Sequence, residues 1–310
     1  MILVLGATGF LGKRVIKKLK ESNVLYHASS LSLGYDLMSA SETMSLFNEV
    51  KPEYVINCSA FVGGIDFGYT YPADLFLQNT VMTVNILEAS KNLGVKRLIN
   101  PISNCAYPGE ATLFKESEFW DGPLHESVQV YGSVRKLSTI GSWAYAKQHN
   151  LDVINLILSN MYGPEDHFEE KRSHALGALI MKMVTARIQE KEEVTVWGTG
   201  SPVREWMFVD DGAESLVRGL NIPKNLDPIN IGVGKGISIR DLASLIKTET
   251  HYEGKLVFDK TKPDGAPFKT VDGSLGKKIF NWSPEKDLLE GIRETVKWYE
   301  YSITGNNDEL

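Results

Sequence analysis

The run Gly6-Ala7-Thr8-Gly9-Phe10-Leu11-Gly12 follows directly on the apolar segment Ile2-Leu3-Val4-Leu5. A short buried strand that empties into GxxGxxG and then into a helix narrows the fold more than any other feature of this chain. Glycines let the backbone turn sharply and approach a diphosphate, while the following helix offers free N–H groups and the positive end of its dipole. Glycine-rich turns also close ordinary hairpins. Here the N-terminal placement and the amphipathic stretch Lys13 to Lys20 behind the turn favour a dinucleotide cradle built from Gly6, Thr8, Gly9, Phe10, Leu11 and Gly12.

The rest of the first half alternates in the same way. Val24 to Ala28 reads as a second strand, Ser41 to Val50 as a helix, Tyr54 to Cys58 as a third strand and Ala73 to Leu93 as a long helix. Lys96 to Asn100 gives a fourth strand, Val128 to His149 a helix, and Val153 to Leu158 a fifth strand. Strands separated by helix-length segments imply right-handed crossovers and a parallel sheet covered on both faces. The expected fold is therefore α/β, a Rossmann-type doubly wound parallel sheet. After Tyr162-Gly163-Pro164 the rhythm breaks and Pro and Gly become denser. The second half reads as a smaller, discontinuous C-terminal lobe over the sheet's carboxyl edge, where ligands of such sheets bind. The expected division is 1–162 plus about 206–234 for the nucleotide domain, and 163–205 plus 235–310 for the substrate lobe.

A chain of 310 residues buries a sizeable core. No apolar stretch is long enough for a bilayer span. With strand residues starting at Ile2, no signal peptide is expected. Two cysteines, Cys58 and Cys105, form no disulfide framework and suit a reducing cytoplasm. The net charge of −6 argues against broad nucleic-acid or membrane binding, and no metal is expected. An acidic residue at the end of the second strand would hold the ribose 2′-hydroxyl of NAD. The segment here is His27-Ala28-Ser29-Ser30, with no acid. Small hydroxyls such as Ser29 beside a histidine accept a 2′-phosphate, so NADP is expected over NAD. Asp36 and Leu37 are then available to the adenine, and Ser59 and Ala60 complete the cofactor set.

Three further segments carry chemistry. The fourth strand runs into Ser103-Asn104-Cys105-Ala106-Tyr107-Pro108, the next helix carries Tyr131-Gly132-Ser133-Val134-Arg135-Lys136, and the fifth strand runs into Ser159-Asn160-Met161-Tyr162. With these, the sequence resembles the extended short-chain dehydrogenase/reductases that act on nucleotide sugars. Within them it is similar to the branch of GDP-L-fucose synthases, which are GDP-4-keto-6-deoxy-mannose 3,5-epimerase/4-reductases. The narrower resemblance rests on Val62-Gly63-Gly64-Ile65, Thr70-Tyr71-Pro72-Ala73-Asp74 with Gln78-Asn79, and Ser173-His174. It continues in Trp197 to Glu205 and in Lys262-Pro263-Asp264-Gly265.

The resemblance implies that Ser103 and Tyr131 contact a sugar keto oxygen. A tyrosine beside a nicotinamide donates the proton that follows hydride onto oxygen, once a neighbouring cation favours the phenolate. The family spacing is Tyr-x-x-x-Lys, four residues that put both side chains on one helix face. This chain departs from it: Arg135 stands at the lysine position, and Lys136 follows it, about 100° further round the helix. A guanidinium keeps its charge at any working pH, but it is bulkier and relays no proton. Arg135 is thus expected both to support Tyr131 and to hold the nicotinamide ribose.

Epimerisation beside a ketone needs a base on one face of the carbon and an acid on the other. The resemblance implies Cys105 and His174 for these roles. Outside it, Cys105 reads equally as a small buried hydrophobe and His174 as a helix-start residue. For the nucleotide end the resemblance implies Arg204 on the pyrophosphate, with Lys182 and Lys269 as further basic groups. Trp197 is a candidate to pack on the base, and Asn160 to bond the sugar. The charge run Glu169 to Arg172 reads as solvated surface. The expected partners are a GDP-sugar and a second copy of the chain. Two other readings stay open: a single-activity enzyme, either a 4-keto reductase of a related hexose or heptose or an epimerase alone, and a non-catalytic NADP-binding protein.

Overall fold

The computed structural model describes residues 1–169 and 173–305. The first half comprises β1 (Ile2–Leu5), α1 (Phe10–Glu21), β2 (Tyr26–Ser29), α2 (Ala40–Val50), β3 (Tyr54–Asn57), α3 (Ile65–Thr70), α4 (Pro72–Asn92), β4 (Arg97–Ser103), α5 (Gln129–His149) and β5 (Val153–Leu158). There follow β6 (Asn160–Tyr162), α6 (Ala175–Ile188), β7 (Glu193–Trp197), β8 (Val203–Phe208), α7 (Val209–Gly219) and β9 (Ile229–Ile231). The chain continues through β10 (Gly236–Ser238), α8 (Ile239–Glu249), β11 (Lys255–Asp259), β12 (Phe268–Lys269), α9 (Ser274–Phe280) and α10 (Leu288–Thr304).

Six strands form a parallel sheet in the order β2-β1-β3-β4-β5-β9. The reversal of order beside β1 is the signature of a doubly wound sheet, as the alternation of strands and helices predicts. Strand periodicity divides the core between two faces. Ile2 and Val4 pack with Leu11, Val15 and Leu216 from α1 and α7. Leu3 and Leu5 pack with Leu46, Phe47, Ile86 and Leu87 from α2 and α4. Arg97 fixes the return of the chain to this sheet. Its guanidinium donates to Asp152 Oδ2 at 2.7 and 2.9 Å and to the Ile222 carbonyl at 2.6 Å, beyond the end of α7.

Around β8 a second sheet gathers β6 and β12 in parallel and β10 in antiparallel pairing. Helices α6, α8 and α10 cover it through a separate core that includes Leu179, Ile180, Met183, Leu242, Ile246 and Ile292. Only Ser159 separates β5 from β6, so the chain leaves one sheet and enters the other within a single residue.

Two strands differ from the sequence reading by more than one residue. β2 starts at Tyr26 because pairing with β1 begins at Ile2↔Tyr26, leaving Val24 and Leu25 exposed in the connection. β4 runs on to Ser103, through Pro101. Beyond Ile99 it pairs with β5 alone, and a proline that cannot donate is tolerated where a strand has one neighbour. That extension carries Ser103 to the carboxyl edge of the sheet. Of the charged run, Glu169 is exposed, and residues 170–172 lie outside the described residues. Among the described residues, no helix is long and apolar enough to cross a membrane.

Candidate active site

The turn after β1 is built for close approach. Gly6 takes a φ of +69°, and a Cβ on Gly12 would lie 2.1 Å from the Gly6 carbonyl oxygen. Gly9 caps α1 without a side chain, and the first turn of the helix holds no acidic residue. The leading N–H groups and the positive dipole end therefore stay available to an anion, so the cradle fits the diphosphate of a dinucleotide. Beside it, the Thr8 hydroxyl lies 2.9 Å from that of Ser32, which lies 3.0 Å from that of Ser30. Ser29 points the other way: it is fully buried, with its Oγ enclosed. Leu37 is buried too, and the Asp36 carboxylate accepts from the Met38 N–H.

From Gly9, Phe10 and Leu11 a cavity of about 430 Å³ opens along the carboxyl edge of the large sheet. It reaches Ser59, Ala60, Ser103, Cys105, Tyr131, Arg135, Asn160, His174 and Lys269. Close packing of α5 brings two of these segments together. A Cβ on Gly132 would meet the Cys105 carbonyl oxygen at 2.3 Å, so only glycine lets Tyr131 ride this near the Ser103–Cys105 turn.

Within the cavity, Arg135 Nη2 donates to the Tyr131 hydroxyl at 2.9 Å, and its guanidinium carbon lies 4.9 Å from the ring centre. Arg135 is buried, and its Nη2 also reaches Asn79 Oδ1 at 3.5 Å. Asn79 in turn accepts from the Phe61 N–H and donates to the Phe61 and Leu75 carbonyls. The helix α4 is thereby linked to the guanidinium and to the loop after β3. Lys136 points elsewhere, its ammonium 5.4 Å from the rings of both Phe119 and Trp120.

Across the cavity, Lys269 Nζ donates to Cys105 Sγ at 3.2 Å, and the Cys105 N–H donates to Ser103 Oγ at the same distance. Burial opposes the thiolate, but Lys269, Ser103 and Arg204 outweigh it, and the Cys105 thiol lies below its ordinary range. Cys58 has no such neighbours, and burial pushes it up to about 12. His174 caps the N-terminus of α6. Desolvation by the pocket wall, then Lys269 and His167, push its imidazolium down to about 4. The residue keeps solvent access at the mouth of the cleft, and its ring is neutral at neutral pH.

Lys182, Trp197 and Arg204 do not line this cavity. The exposed Trp197 ring, at the end of β7, lies between the ammonium groups of Lys182, at 5.4 Å, and Lys262, at 5.2 Å, a basic and aromatic ledge beside α6. Arg204 is buried, and its guanidinium donates to the carbonyls of Val203 at 2.8 Å and Asp264 at 3.2 Å. Asn160 donates to the Glu205 carbonyl at 3.1 Å.

Three features of this region carry no sequence signal of their own. Asn79 was visible only as part of a motif. Ser32 sits beyond the strand end that was read for cofactor choice. Asp166 follows the Tyr162-Gly163-Pro164 turn and lines the cavity; desolvation raises its carboxyl to about 7, despite the His167 N–H that it accepts.

Comparison with known proteins agrees with this architecture. The sequence profile of the NAD dependent epimerase/dehydratase family matches residues 2–232. GDP-L-fucose synthase 1 of Arabidopsis thaliana is 37% identical over 299 residues, 96% of this chain and 92% of that protein. Among solved structures, a GDP-6-OMe-4-keto-L-xylo-heptose reductase from C. jejuni superposes with a TM-score of 0.91 at 25% identity, covering 97% of both chains. A GDP-L-fucose synthetase from Naegleria fowleri bound to NADP superposes with a TM-score of 0.88 at 28% identity, covering 98% of this chain and 93% of that one. The chain belongs to the NAD dependent epimerase/dehydratase family.

Proposed function

We propose that this chain is an NADPH-dependent enzyme that inverts C3 and C5 of a GDP-4-keto-6-deoxy sugar and then reduces its C4 ketone. The observation that carries this reading is the meeting, in one cleft beyond the glycine cradle, of the Tyr131–Arg135 pair with Cys105 and His174. A protein that only bound a nucleotide has no use for those four groups together. The relatives named for GDP-L-fucose synthesis and the NADP-bound neighbour support the same substrate and cofactor.

When bound, the nicotinamide supplies hydride to C4. Tyr131 gives its proton to the ketone oxygen, Ser103 bonds that oxygen, and the Arg135 charge supports the phenol as it loses its proton. Before reduction, the polarised ketone acidifies the protons on C3 and C5. Cys105 and His174 take and return those protons on opposite faces. Arg204, with Lys182 and Trp197 further out, receives the diphosphate and base, and Asn160 bonds the sugar. Thr8, Ser30 and Ser32 meet the 2′-phosphate, with Asp36 and Leu37 toward the adenine. The nucleotide domain in this reading is 1–162 plus about 206–234, and the substrate lobe is the remainder. The enzyme works in the cytoplasm as a homodimer.

One second reading, a reductase of a related 4-keto sugar without epimerisation, is supported by the superposition on a GDP-6-OMe-4-keto-L-xylo-heptose reductase. Purified protein incubated with NADPH and GDP-4-keto-6-deoxy-mannose in deuterated water separates the two. Deuterium at C3 and C5 of a reduced product is expected, and its loss in Cys105→Ser and His174→Gln. Reduction without deuterium leaves the second reading, and absence of NADPH oxidation overturns both.

A further inference from the structure

Lys269 and Arg204 are neighbours in register on β12 and β8, and both are buried. Neither ion-pairs with a carboxylate among the described residues. Arg204 donates to backbone carbonyls through Nη1 and Nη2, and the Lys269 ammonium donates to the Cys105 sulfur, 3.2 Å away. A buried cation without a counter-charge is costly, and it stabilises an anion formed next to it. Cys105 is the group placed to become that anion.

We propose that Lys269 acts in the reaction through Cys105, holding its sulfur as a thiolate ready to take a proton from carbon, rather than as a ligand of the nucleotide. Lys269 is in these terms a positioning residue. Its catalytic consequence rests on the epimerase reading above, whereas the thiolate itself does not.

The framework around the pair keeps the contact fixed. Glu205, fully buried on β8, accepts from the Val271 N–H at 2.9 Å and the Val233 N–H at 2.5 Å, which pins the chain two residues past Lys269. Other charged groups facing the cavity do not cancel the effect. Arg135 on α5 commits its Nη2 to Tyr131, and the neutral His174 at the start of α6 leaves Lys269 unopposed. Two carboxyls line the cavity: Asp166, which burial keeps protonated up to about 7, and Glu126, which is exposed to solvent before α5. In the proton transfer, the sulfur lone pair forms the S–H bond as the C–H bond breaks. The electron pair from carbon passes into the conjugated ketone as enolate, and the ammonium keeps its own protons throughout. A lower thiol pKa makes each thiolate a weaker base, but it populates the deprotonated form at neutral pH, and only that form can take a proton from carbon.

The test is the rate of Cys105 alkylation by iodoacetamide between pH 5.5 and 9.5, followed on the Cys105 peptide by mass spectrometry. Parent, Lys269→Met and Lys269→Arg proteins are compared, with GDP affinity measured on each by calorimetry. The parent inflection is expected below the ordinary thiol range. In Lys269→Met it should rise by about one pH unit, a roughly tenfold loss of thiolate at fixed pH. Lys269→Arg should keep the low inflection. Lys269→Gln repeats the test should the methionine variant not fold. An inflection unmoved in Lys269→Met overturns the proposal, as does an equal rise in Lys269→Met and Lys269→Arg. Weakened GDP binding with an unmoved inflection does so too, and returns Lys269 to the nucleotide. A shifted inflection in a protein that never exchanges sugar protons supports the thiolate and sinks the epimerase reading instead.

Discussion

At the scale of single residues, the departure at Arg135 is the sharpest test of how the site works. Its guanidinium donates to the Tyr131 hydroxyl at 2.9 Å, which is where a supporting cation has to stand. It stays charged at every working pH, so its effect is electrostatic and never that of a proton relay. Arg135→Ala is expected to lose about 1–3 kcal/mol of transition-state stabilisation, roughly five- to 150-fold in NADPH oxidation. Arg135→Lys should keep substantial activity, since an ammonium at this position restores the charge. Lys136→Ala should change little, because its ammonium packs over Phe119 and Trp120. Steady-state rates against pH for the three variants check this. If Lys136→Ala abolishes reduction and Arg135→Ala spares it, the cation has been assigned to the wrong residue.

At the scale of elements, what the sequence disclosed and what it withheld have one physical cause. The cradle and the Tyr131–Arg135 pair were legible because their geometry is local: a turn needs its glycines in order, and residues four apart share a helix face. The contacts that refine the site join distant segments, and no periodicity announces them. Lys269 meets Cys105 across 164 positions, and Arg135 meets Asn79 across 56. Strand β2 shows the same limit. Its end was read as Ser29 and Ser30, yet the side chain of Ser29 alternates into the protein while Ser32, past the strand, shares hydrogen bonds with Thr8 and Ser30. A carboxylate there would repel a 2′-phosphate. Ser32→Asp should therefore weaken NADPH binding at least tenfold and leave NADH binding equal or improved, as read by fluorescence titration. Tighter binding of NADH than of NADPH to the parent protein sinks the NADP assignment. Helices α4 and α5 pack side by side yet leave Phe76, Leu77, Val84, Leu137, Ile140 and Trp143 exposed. Apolar faces of this extent mark contact surfaces, so the homodimer reading predicts that Ile140→Glu and Trp143→Glu shift the sedimenting species from dimer to monomer. A parent protein that sediments as a monomer contradicts it.

For the whole molecule, the cleft between the two sheets imposes a pH dependence on folding. Asp166 and His174 line the same cavity, and desolvation moves them in opposite directions. Asp166 rises from 3.8 in the unfolded chain to about 7 in the folded one. Between these values the native state binds the extra proton, so stability falls as pH rises through that window. His174 drops from 6.5 to about 4. Between those values the unfolded chain binds more protons, and stability rises with pH. From about 4 to 6.5 the two slopes oppose each other, and from 6.5 to about 7 only the Asp166 loss continues. Asp166→Asn keeps an acceptor for the His167 N–H and removes the carboxyl, so it isolates the first slope. The variant should melt at the same temperature as the parent near pH 4, gain on it steadily, and hold a constant advantage above pH 7. His174 keeps solvent contact, so its slope should be the shallower of the two, and His174→Gln should flatten the rise below pH 6.5. Melting temperatures of the three proteins across pH 4 to 8.5 provide the measurement. An Asp166→Asn advantage that is as large at pH 4 as at pH 8 would mean that the carboxyl ionises alike in the folded and unfolded chains. In that case the cleft wall at α6 is wetter than its packing implies. A growing advantage means that folding holds an acid in the cleft at a cost to stability, as proteins do where a proton has work to perform.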